Sequence, residues 1–146
     1  MMSGLPGVQD IVDFELKIGD PNAIIFANTI GLYSINATDN VTLIENESIS
    51  VWGFVQLNHT HILIGFSKCV ELLATLTSAV KPIAGPLYCN ESSTLDGVGS
   101  EATFWAISDI HQDIKDPNQF VIIDVSKNLR MLALDTANVT TVAVLD

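Results

Sequence analysis

The sequence predicts an all-β fold of about three four-stranded, propeller-like blades. Helix signals are poor, the apolar runs are short and β-branched, and one pattern of strands recurs along the chain. The best helical window, residues 70–76, has no N-terminal capping residue and contains or precedes Thr75, Thr77 and Val80, which favour strands. The clearest strand signals lie at residues 23–27, 61–65, 119–124 and 139–144.

The repeated pattern divides the chain into units of about 8–46, 47–85 and 86–146. In each unit a short leading strand is followed by an apolar strand, a second strand and a third strand after a polar hairpin tip. The leading strands are predicted at residues 8–14, 50–57 and 104–110. Four strands recurring every 40 to 60 residues or so are typical of propeller blades. A β-sandwich whose periodicity is coincidental is the alternative.

Three blades would leave sheet faces and strand edges uncovered, because closed propellers have at least about four blades. We therefore expect either further blades or another chain to cover those faces. The first six residues show no basic or apolar leader segment, so the chain reads as a mature or excerpted part of a longer precursor.

Charge and composition exclude several classes of protein. Six Lys and Arg oppose seventeen Asp and Glu, giving a net charge of −11, which would repel nucleic acid and anionic membranes. A hydrophobic fraction of 48% is sufficient for a buried core, and a charged fraction of 16% is too low for a disordered tail. No apolar run reaches about 18 residues, so no membrane span is predicted.

The N-glycosylation acceptor Asn-x-Ser/Thr occurs six times, against about one or two expected by chance. The predicted acceptors are Asn36, Asn40, Asn46, Asn58, Asn90 and Asn138. Three of them fall within residues 36–48, which predicts a solvent-facing turn carrying N-linked glycans. Because only the secretory pathway uses these acceptors, they predict an extracellular or cell-surface protein.

Two cysteines, Cys69 and Cys89, agree with that compartment. In an oxidising environment one disulfide would connect a strand to the loop that follows it, and two free buried thiols are the alternative. They do not form a zinc site with the histidines, whose spacing does not match.

The second half of the chain resembles NHL-repeat propellers. Residues 96–104 resemble the Asp-Gly-x-Gly-x-x-Ala-x-Phe interblade loop of that family, residues 124–130 its Asp-to-Arg segment, and residues 139–143 its Val-Thr-Thr strand. Residues 80–85 are similar to the same strand in the second unit, and Cys69 is similar to a cysteine of secreted eukaryotic members. The resemblance is good over residues 57–146 and faint over residues 8–46, and the first and second units both lack the Asp and the Arg.

The family resemblance implies a local role for Asp124 and Arg130. The aspartate would accept hydrogen bonds from turn amides, and the arginine would reach back to hold the hairpin. Some NHL-type propellers are amidating lyases with metal-bound histidines, and this sequence has no matching histidine set.

No catalytic residue, metal ligand or cofactor is predicted. His59 and His61 share one side of a strand start and could chelate a metal, but no third ligand accompanies them. Asp109, Asp113 and Asp116 lack the spacing of a calcium loop, and Ser67 and Gly97–Gly99 lack nucleophile or phosphate-loop context.

The aromatic residues are predicted to be structural. Trp52, Phe54, Phe104 and Trp105 precede the central strands of the second and third units, where aromatics pack between blades.

These features predict a non-enzymatic, extracellular, N-glycosylated structural protein that self-associates into a filament or surface coat. In this it resembles mastigoneme glycoproteins of algae and related protists. The alternative is an ectodomain binding module that recognises a peptide or a glycan, and an amidating-lyase-like enzyme is a third hypothesis.

Overall fold

The computed structural model describes residues 11–28, 31–38, 40–45 and 51–145. Thirteen β-strands lie in these ranges, arranged in three antiparallel sheets that we call blades 1, 2 and 3. Blade 1 consists of β1 (Asp13–Leu16), β2 (Ile24–Asn28), β3 (Gly31–Ile35) and β4 (Val41–Glu45). Blade 2 consists of β5 (Val51–Gln56), β6 (His61–Phe66), β7 (Val70–Ala74) and β8 (Ala79–Ala84).

Blade 3 has a fifth strand. It consists of β9 (Gly97–Val98), β10 (Ile107–Gln112), β11 (Gln119–Asp124), β12 (Asn128–Ala133) and β13 (Asn138–Val144), in the spatial order β10-β11-β12-β13-β9. A 3-10 turn at Gly99–Glu101 follows β9. The predicted all-β, propeller-like fold of three blades is therefore confirmed.

The same irregularity recurs in all three blades. Between the third and fourth strands the register skips one residue of the fourth strand, at Ile44, Ile83 and Val142. A bulge increases strand twist, and strong twist is what allows successive blades to pack around an axis. Pro82 lies beside one of these bulges, where a residue without an amide hydrogen is tolerated.

The first strand of blade 2 contacts the first strands of blades 1 and 3, and the hydrophobic core is split between the two blade junctions. Because side chains alternate across a strand, each blade presents one apolar side to each neighbour. The junction of blades 1 and 2 buries Ile25, Ala27, Leu32, Phe54, Ile62, Ile64 and Leu73. The junction of blades 2 and 3 buries Leu63, Val70, Phe104, Ile107, Ile110, Phe120 and Ile122.

Two boundaries differ from the predicted ones. The leading strand predicted at residues 104–110 begins at Ile107, because Thr103 pairs with Leu95 and the amides of Trp105 and Ala106 bond to Asp124. The strand predicted at residues 8–14 begins at Asp13 among the described residues, and residues 8–10 lie outside them. In the part of the chain that the structure describes, no helix is long and apolar enough to cross a membrane.

Candidate functional site

Five of the six predicted glycosylation asparagines lie among the described residues, and Asn46 lies outside them. Asn36 and Asn40 are exposed in the turn between β3 and β4, and Asn58 is exposed in the turn between β5 and β6. Asn90 is exposed beyond β8, and Asn138 is the half-buried first residue of β13. Whether any of them carries a glycan stays a prediction.

Asn36 and Asn58 share one local geometry. The Oδ1 of Asn36 accepts hydrogen bonds from the amide and the hydroxyl of Thr38, at 3.0 and 2.8 Å. The Oδ1 of Asn58 accepts from the amide and the hydroxyl of Thr60, both at 2.8 Å. Such Asx-turns stabilise a hairpin tip. No described residue accepts a bond from the Nδ2 of either asparagine, which is the atom that an N-glycan would occupy.

Three of these asparagines line a cavity between blades 1 and 2. This cavity of about 460 Å³ lies between the hairpin tips of blades 1 and 2 and is lined by Asn36, Asn40 and Asn58. Lys17, Asp20, Gln56 and His59 add polar groups to the same lining. Glycans on these asparagines would therefore stand around its rim.

The predicted disulfide between Cys69 and Cys89 is confirmed. It joins the start of blade 2's third strand to the segment that follows β8, so it ties the connection between blades 2 and 3 to blade 2. Gly85 lies against this crosslink: a Cβ on Gly85 would stand 2.6 Å from the carbonyl oxygen of Lys68.

The Asp and Arg of the resemblance meet in one buried network. Arg130 is fully buried, and its Nη1 donates to the carbonyl of Thr103 at 2.9 Å. Its Nη2 donates to the carbonyl of Leu95 at 2.7 Å and to Asp96 Oδ1 at 3.0 Å. The guanidinium also lies 5.1 Å from the ring centre of Phe104. Arg130 thus holds the interblade segment 95–104, rather than only its own hairpin as expected from the resemblance.

The two aspartates of this network act on different parts of blade 3. Asp124 accepts the amides of Trp105, Ala106 and Ser126, and lies 3.5 Å from Arg130. Asp96 accepts the amide and hydroxyl of Thr141. Burial opposes ionisation of Asp96, but the bonds from Thr141 and the charge of Arg130 hold its pKa below the usual value of 3.8. Both aspartates thus bond to backbone amides, so the network stabilises the fold of blade 3 and of the segment before it.

A second polar cluster, which the sequence did not reveal, connects blades 1 and 2. Asp13 Oδ2 accepts the amide of Phe54 at 3.2 Å, across the junction of the two first strands. Glu15 Oε2 accepts the amide and the side-chain Nε2 of Gln56, at 3.3 and 3.0 Å. Gln56 in turn donates to the carbonyl of Leu16 and accepts the amide of Ile18. Blade 1 is therefore joined to blade 2 by carboxylates in place of the missing Asp–Arg pair.

The surroundings raise the pKa of both carboxyl groups in this cluster. Burial raises the pKa of Asp13, against the effect of the hydrogen bond from Phe54. Burial likewise raises the pKa of Glu15, against the bonds from Gln56. The only sequence signal for this cluster is the alternation of acidic and apolar residues in Asp13-Phe14-Glu15-Leu16.

Blade 3 repeats part of this arrangement on its outward side. Asp109 Oδ1 accepts the amide of Ile110 at 2.9 Å, and its Oδ2 lies 2.8 Å from Nε2 of His111. Asp109 and Asp13 occupy the same register position of their first strands, opposite Ile123 and Ala27 respectively.

The other predicted candidates are not gathered into a site. Asp113 accepts the amide of Lys115, and Asp116 accepts the amide of Asn118, as in ordinary turns. His61 Nδ1 lies 2.9 Å from the hydroxyl of Thr60, in the same hairpin tip as His59. Within the described ranges no group of three or more His, Cys, Asp or Glu side chains is placed to hold a metal ion.

The prediction for the two tryptophans was wrong. Phe54 and Phe104 are fully buried between blades, but Trp52 is 37% exposed and Trp105 is 52% exposed. Trp52 lies where the register of β5 is irregular, and Trp105 precedes β10, so neither residue is part of the buried core between blades.

Two apolar surfaces lie on the outer sides of the end blades. The first, which we call the β1 row, comprises Val12, Phe14 and Leu16, and Phe14 and Leu16 are 68% and 70% exposed. The second, which we call the blade 3 outer face, comprises Val121, Ile123, Leu129 and Met131, all partly exposed, with Asp109 and His111 at its inner edge.

Comparison with solved structures supports the fold. The chain is similar to a protein of unknown function from Bacteroides thetaiotaomicron, with 20% identity and a TM-score of 0.67 over 84% of this chain and 33% of that one. It is similar to an auxiliary nutrient binding protein from the same organism, with 17% identity and a TM-score of 0.62 over 88% of this chain and 34% of that one. A further auxiliary nutrient binding protein, from Bacteroides ovatus, gives 15% identity and a TM-score of 0.65 over 86% of this chain and 34% of that one.

These neighbours are about three times longer than the region that this chain matches. No protein-family model matches the sequence, and no curated protein matches it. The NHL-repeat and mastigoneme-like assignments therefore stay predictions, and the comparisons show a propeller-like fold.

Proposed function

We propose that this protein is an extracellular, N-glycosylated propeller protein that acts by self-association, as the subunit of a filament or surface coat, and not by catalysis. The observation that carries the proposal is the pair of uncovered apolar surfaces, the β1 row and the blade 3 outer face. Side chains such as Phe14 and Leu16, more than two thirds exposed, favour burial against a partner.

The extracellular part of the proposal is supported by two observations. The Cys69–Cys89 disulfide is of a kind that persists in oxidising compartments. Four acceptor asparagines are exposed in turns or loops, where a glycan meets no packed neighbour. The non-catalytic part is supported by the sequence, which offers no nucleophile pattern and no matching histidine set.

The test is to secrete the chain from a eukaryotic cell and examine its mass and assembly. We expect a mass decrease on enzymatic deglycosylation, and particles larger than a monomer that persist on dilution in light scattering. Negative-stain images should show filaments or sheets. Phe14→Lys should reduce assembly, whereas Leu76→Lys, at an 83% exposed position in the turn after β7, should not. A monomer at all concentrations would overturn the self-association.

A second candidate function is ligand binding by a propeller module. It is favoured by the polar cavity of about 460 Å³ between blades 1 and 2, and by two structural neighbours that are described as auxiliary nutrient binding proteins. A small polar ligand, such as a saccharide, fits the amide, ammonium and carboxylate groups of the lining.

The ligand-binding candidate is tested by thermal shift against a panel of mono- and oligosaccharides. A stabilisation that saturates and is lost in Gln56→Leu or Lys17→Met would support it. The control is Lys115→Met, an exposed lysine in the turn between β10 and β11. No shift with any saccharide would exclude that ligand class.

A further inference from the structure

We propose that the first sugar of an N-glycan on Asn90 packs on the ring of Tyr88, so that this sugar becomes part of the connection between blades 2 and 3. The inference rests on the proposed function, because it requires that the chain is N-glycosylated. It goes further by assigning one acceptor a contact surface on the protein. The group that covers Tyr88 is thus the chain's own N-acetylglucosamine, and not a separate molecule.

Tyr88 is an unusually exposed aromatic residue. It is 78% exposed, and in the part of the chain that the structure describes no other aromatic residue is more exposed. The amide of Cys89 donates to the carbonyl of Pro86 at 2.9 Å, which closes a turn with Leu87 and Tyr88 at its centre. Leu87 is 75% exposed as well. Apolar surface of this kind favours burial under a neighbouring group.

An acceptor asparagine lies directly beside this surface. Asn90 is exposed and follows Tyr88 by two residues. Two residues of chain span at most about 7 Å, so a sugar attached to Asn90 starts within reach of the Tyr88 ring. The other five acceptors have no aromatic residue two places earlier, where the sequence has Ser34, Thr38, Ile44, Gln56 and Thr136. The combination of ring and acceptor is therefore particular to Asn90.

The second of the chain's two tyrosines is engaged differently. Tyr33 precedes the acceptor Asn36 by three residues, but its ring stacks on Phe26, with the ring centres 5.3 Å apart and an angle of 15° between the planes. The ring of Tyr33 thus already has a partner inside blade 1. Within the described ranges Tyr88 has no aromatic partner, so its ring is available to a sugar.

The backbone that joins Tyr88 to Asn90 is held in place. Cys89, between them, is crosslinked to Cys69 and has a φ of +51°, a conformation that few residues other than glycine adopt. The ammonium of Lys68 donates to the carbonyl of Asn90 at 3.4 Å. Because the ring and the acceptor are attached to a fixed backbone, less conformational freedom is lost when the sugar packs on the ring.

A sugar ring is chemically suited to this contact. One face of N-acetylglucosamine carries axial C–H bonds, which are apolar and slightly positive, whereas the face of an aromatic ring is negative. The contact removes apolar surface of both rings from water and leaves the sugar hydroxyls hydrated. The ring of a phenylalanine offers the same face, so the phenol hydroxyl of Tyr88 is not required.

The position of Tyr88 separates its own glycan from other groups that could cover it. Tyr88 lies in the connection after β8, and not on the β1 row or on the blade 3 outer face. Further blades would pack on those two sheet surfaces, because a blade buries its sheet faces. A partner in solution would compete with a sugar whose effective concentration at the ring is on the order of mM or higher. The tethered sugar is therefore the favoured occupant.

The test is a double-mutant cycle on the chain secreted from a eukaryotic cell and trimmed with an endoglycosidase to one N-acetylglucosamine at each occupied acceptor. Peptide mapping establishes whether Asn90 carries the sugar. Tyr88→Ser should then raise the equilibrium constant for unfolding in urea roughly two- to tenfold, the effect of one lost aromatic contact. In the Asn90→Gln background the same substitution should have a clearly smaller effect, and Tyr88→Phe should resemble the unmodified chain in both backgrounds.

The matched control is Asn58→Gln, which removes a different acceptor, in the turn between β5 and β6. Tyr88→Ser should have the same effect in that background as in the unmodified chain. Proton NMR gives a direct readout of the contact. Protons of the sugar on Asn90 should be shifted upfield by the Tyr88 ring, and the shift should disappear in Tyr88→Ser and persist in Tyr88→Phe.

Three results would contradict the proposals, at different levels. Equal effects of Tyr88→Ser with and without the Asn90 sugar, or sugar protons that do not respond to Tyr88→Ser, would overturn the contact. Sugar on other acceptors and none on Asn90 would overturn this inference and leave the proposed glycoprotein intact. A secreted chain with no sugar on any acceptor would overturn the glycosylated part of the proposed function itself.

Discussion

Asp13 and Asp109 hold the same position in the first strands of blades 1 and 3, and each accepts the amide of the residue that follows it at 2.9 Å. Blade 2 has Gly53 at that position, where a Cβ would stand 3.0 Å from Asp109 Oδ1. The glycine therefore leaves room for the aspartate of the next blade. Carboxylates on every second blade are compatible with close packing, whereas three in succession would crowd and repel one another.

The carboxylates between blades 1 and 2 predict an unusual pH dependence. The folded pKa values of Asp13 and Glu15 lie above their ordinary values of 3.8 and 4.5, so the folded state binds these protons more tightly than the unfolded state. The free energy of unfolding should therefore fall as pH rises through that window, from just above the ordinary values to the raised folded ones. The measurement is the urea midpoint at intervals from about pH 4 to about pH 7.

The double variant Asp13→Asn, Glu15→Gln should flatten this dependence and raise the midpoint near neutral pH, because it removes two partly buried charges and keeps acceptor oxygens. Glu91→Gln, at an exposed position beyond the disulfide, is the matched control and should follow the unmodified chain. If the urea midpoint of the double variant changed with pH as steeply as that of the unmodified chain, Asp13 and Glu15 would not be the groups that cause the dependence.

Arg130→Met should destabilise blade 3 strongly. The substitution removes the positive charge beside the buried carboxylate of Asp124 and the donor to the carbonyls of Thr103 and Leu95, and breaking a buried pair in this way costs about 3–5 kcal/mol. Urea unfolding measures the loss, and Lys127→Met, in the exposed turn before β12, is the control. A loss below about 1 kcal/mol, typical of surface ion pairs, would show that the network is not structural.

Replacing both Cys69 and Cys89 by alanine should lower the free energy of unfolding by about 3 kcal/mol, since the disulfide closes a loop of 20 residues. Guanidinium unfolding with and without a reductant is the measurement. The reductant should destabilise the unmodified chain and leave the double variant unaffected. Equal stability of the unmodified chain in both conditions would contradict the prediction.

Gly85→Ala should cost more stability than Gly99→Ala. Both glycines have positive φ, +113° and +57°, but a Cβ on Gly85 would overlap the backbone of Lys68 and Cys69, whereas the nearest atom to a Cβ on Gly99 is 3.9 Å away. Gly99→Ala should therefore show only the conformational cost of about 1–2 kcal/mol. Thermal melting of the two variants gives the comparison, and an equal loss would show that the connection after β8 rearranges.

The repeat explains why the fold was predictable from the sequence. Short apolar runs between turn residues determine strands locally, and the recurrence of that pattern in residues 20–46, 58–85 and 116–144 indicates blades. The disulfide was predictable because only two cysteines are present. The window at residues 70–76 was also predictable. Its leucines favour a helix, but the neighbouring β-branched residues favour a strand, and β7 forms there.

The junction of blades 1 and 2 could not be predicted in the same way. Asp13 and Gln56 are 43 positions apart in the numbering, and nothing in either local sequence shows that β1 and β5 lie side by side. The exposure of the two tryptophans could not be predicted either. For Trp52 it depends on a one-residue irregularity in the register of β5, and for Trp105 on where β10 begins. Such register details determine which side a residue faces, and composition does not report them.

The pairing of β9 with β13 has a consequence for the order of events during synthesis. Asp96 precedes blade 3 in the chain, yet it bonds to Thr141, 45 residues later. Contacts between distant segments form slowly, since a long loop must close first. Blade 3 is therefore complete only after β13 has left the ribosome and paired back with β9, whereas blades 1 and 2 consist of strands that are consecutive in the chain. Blades 1 and 2 can therefore fold as they emerge. The apolar side of blade 2 that packs against blade 3 is the last part of the core to be buried.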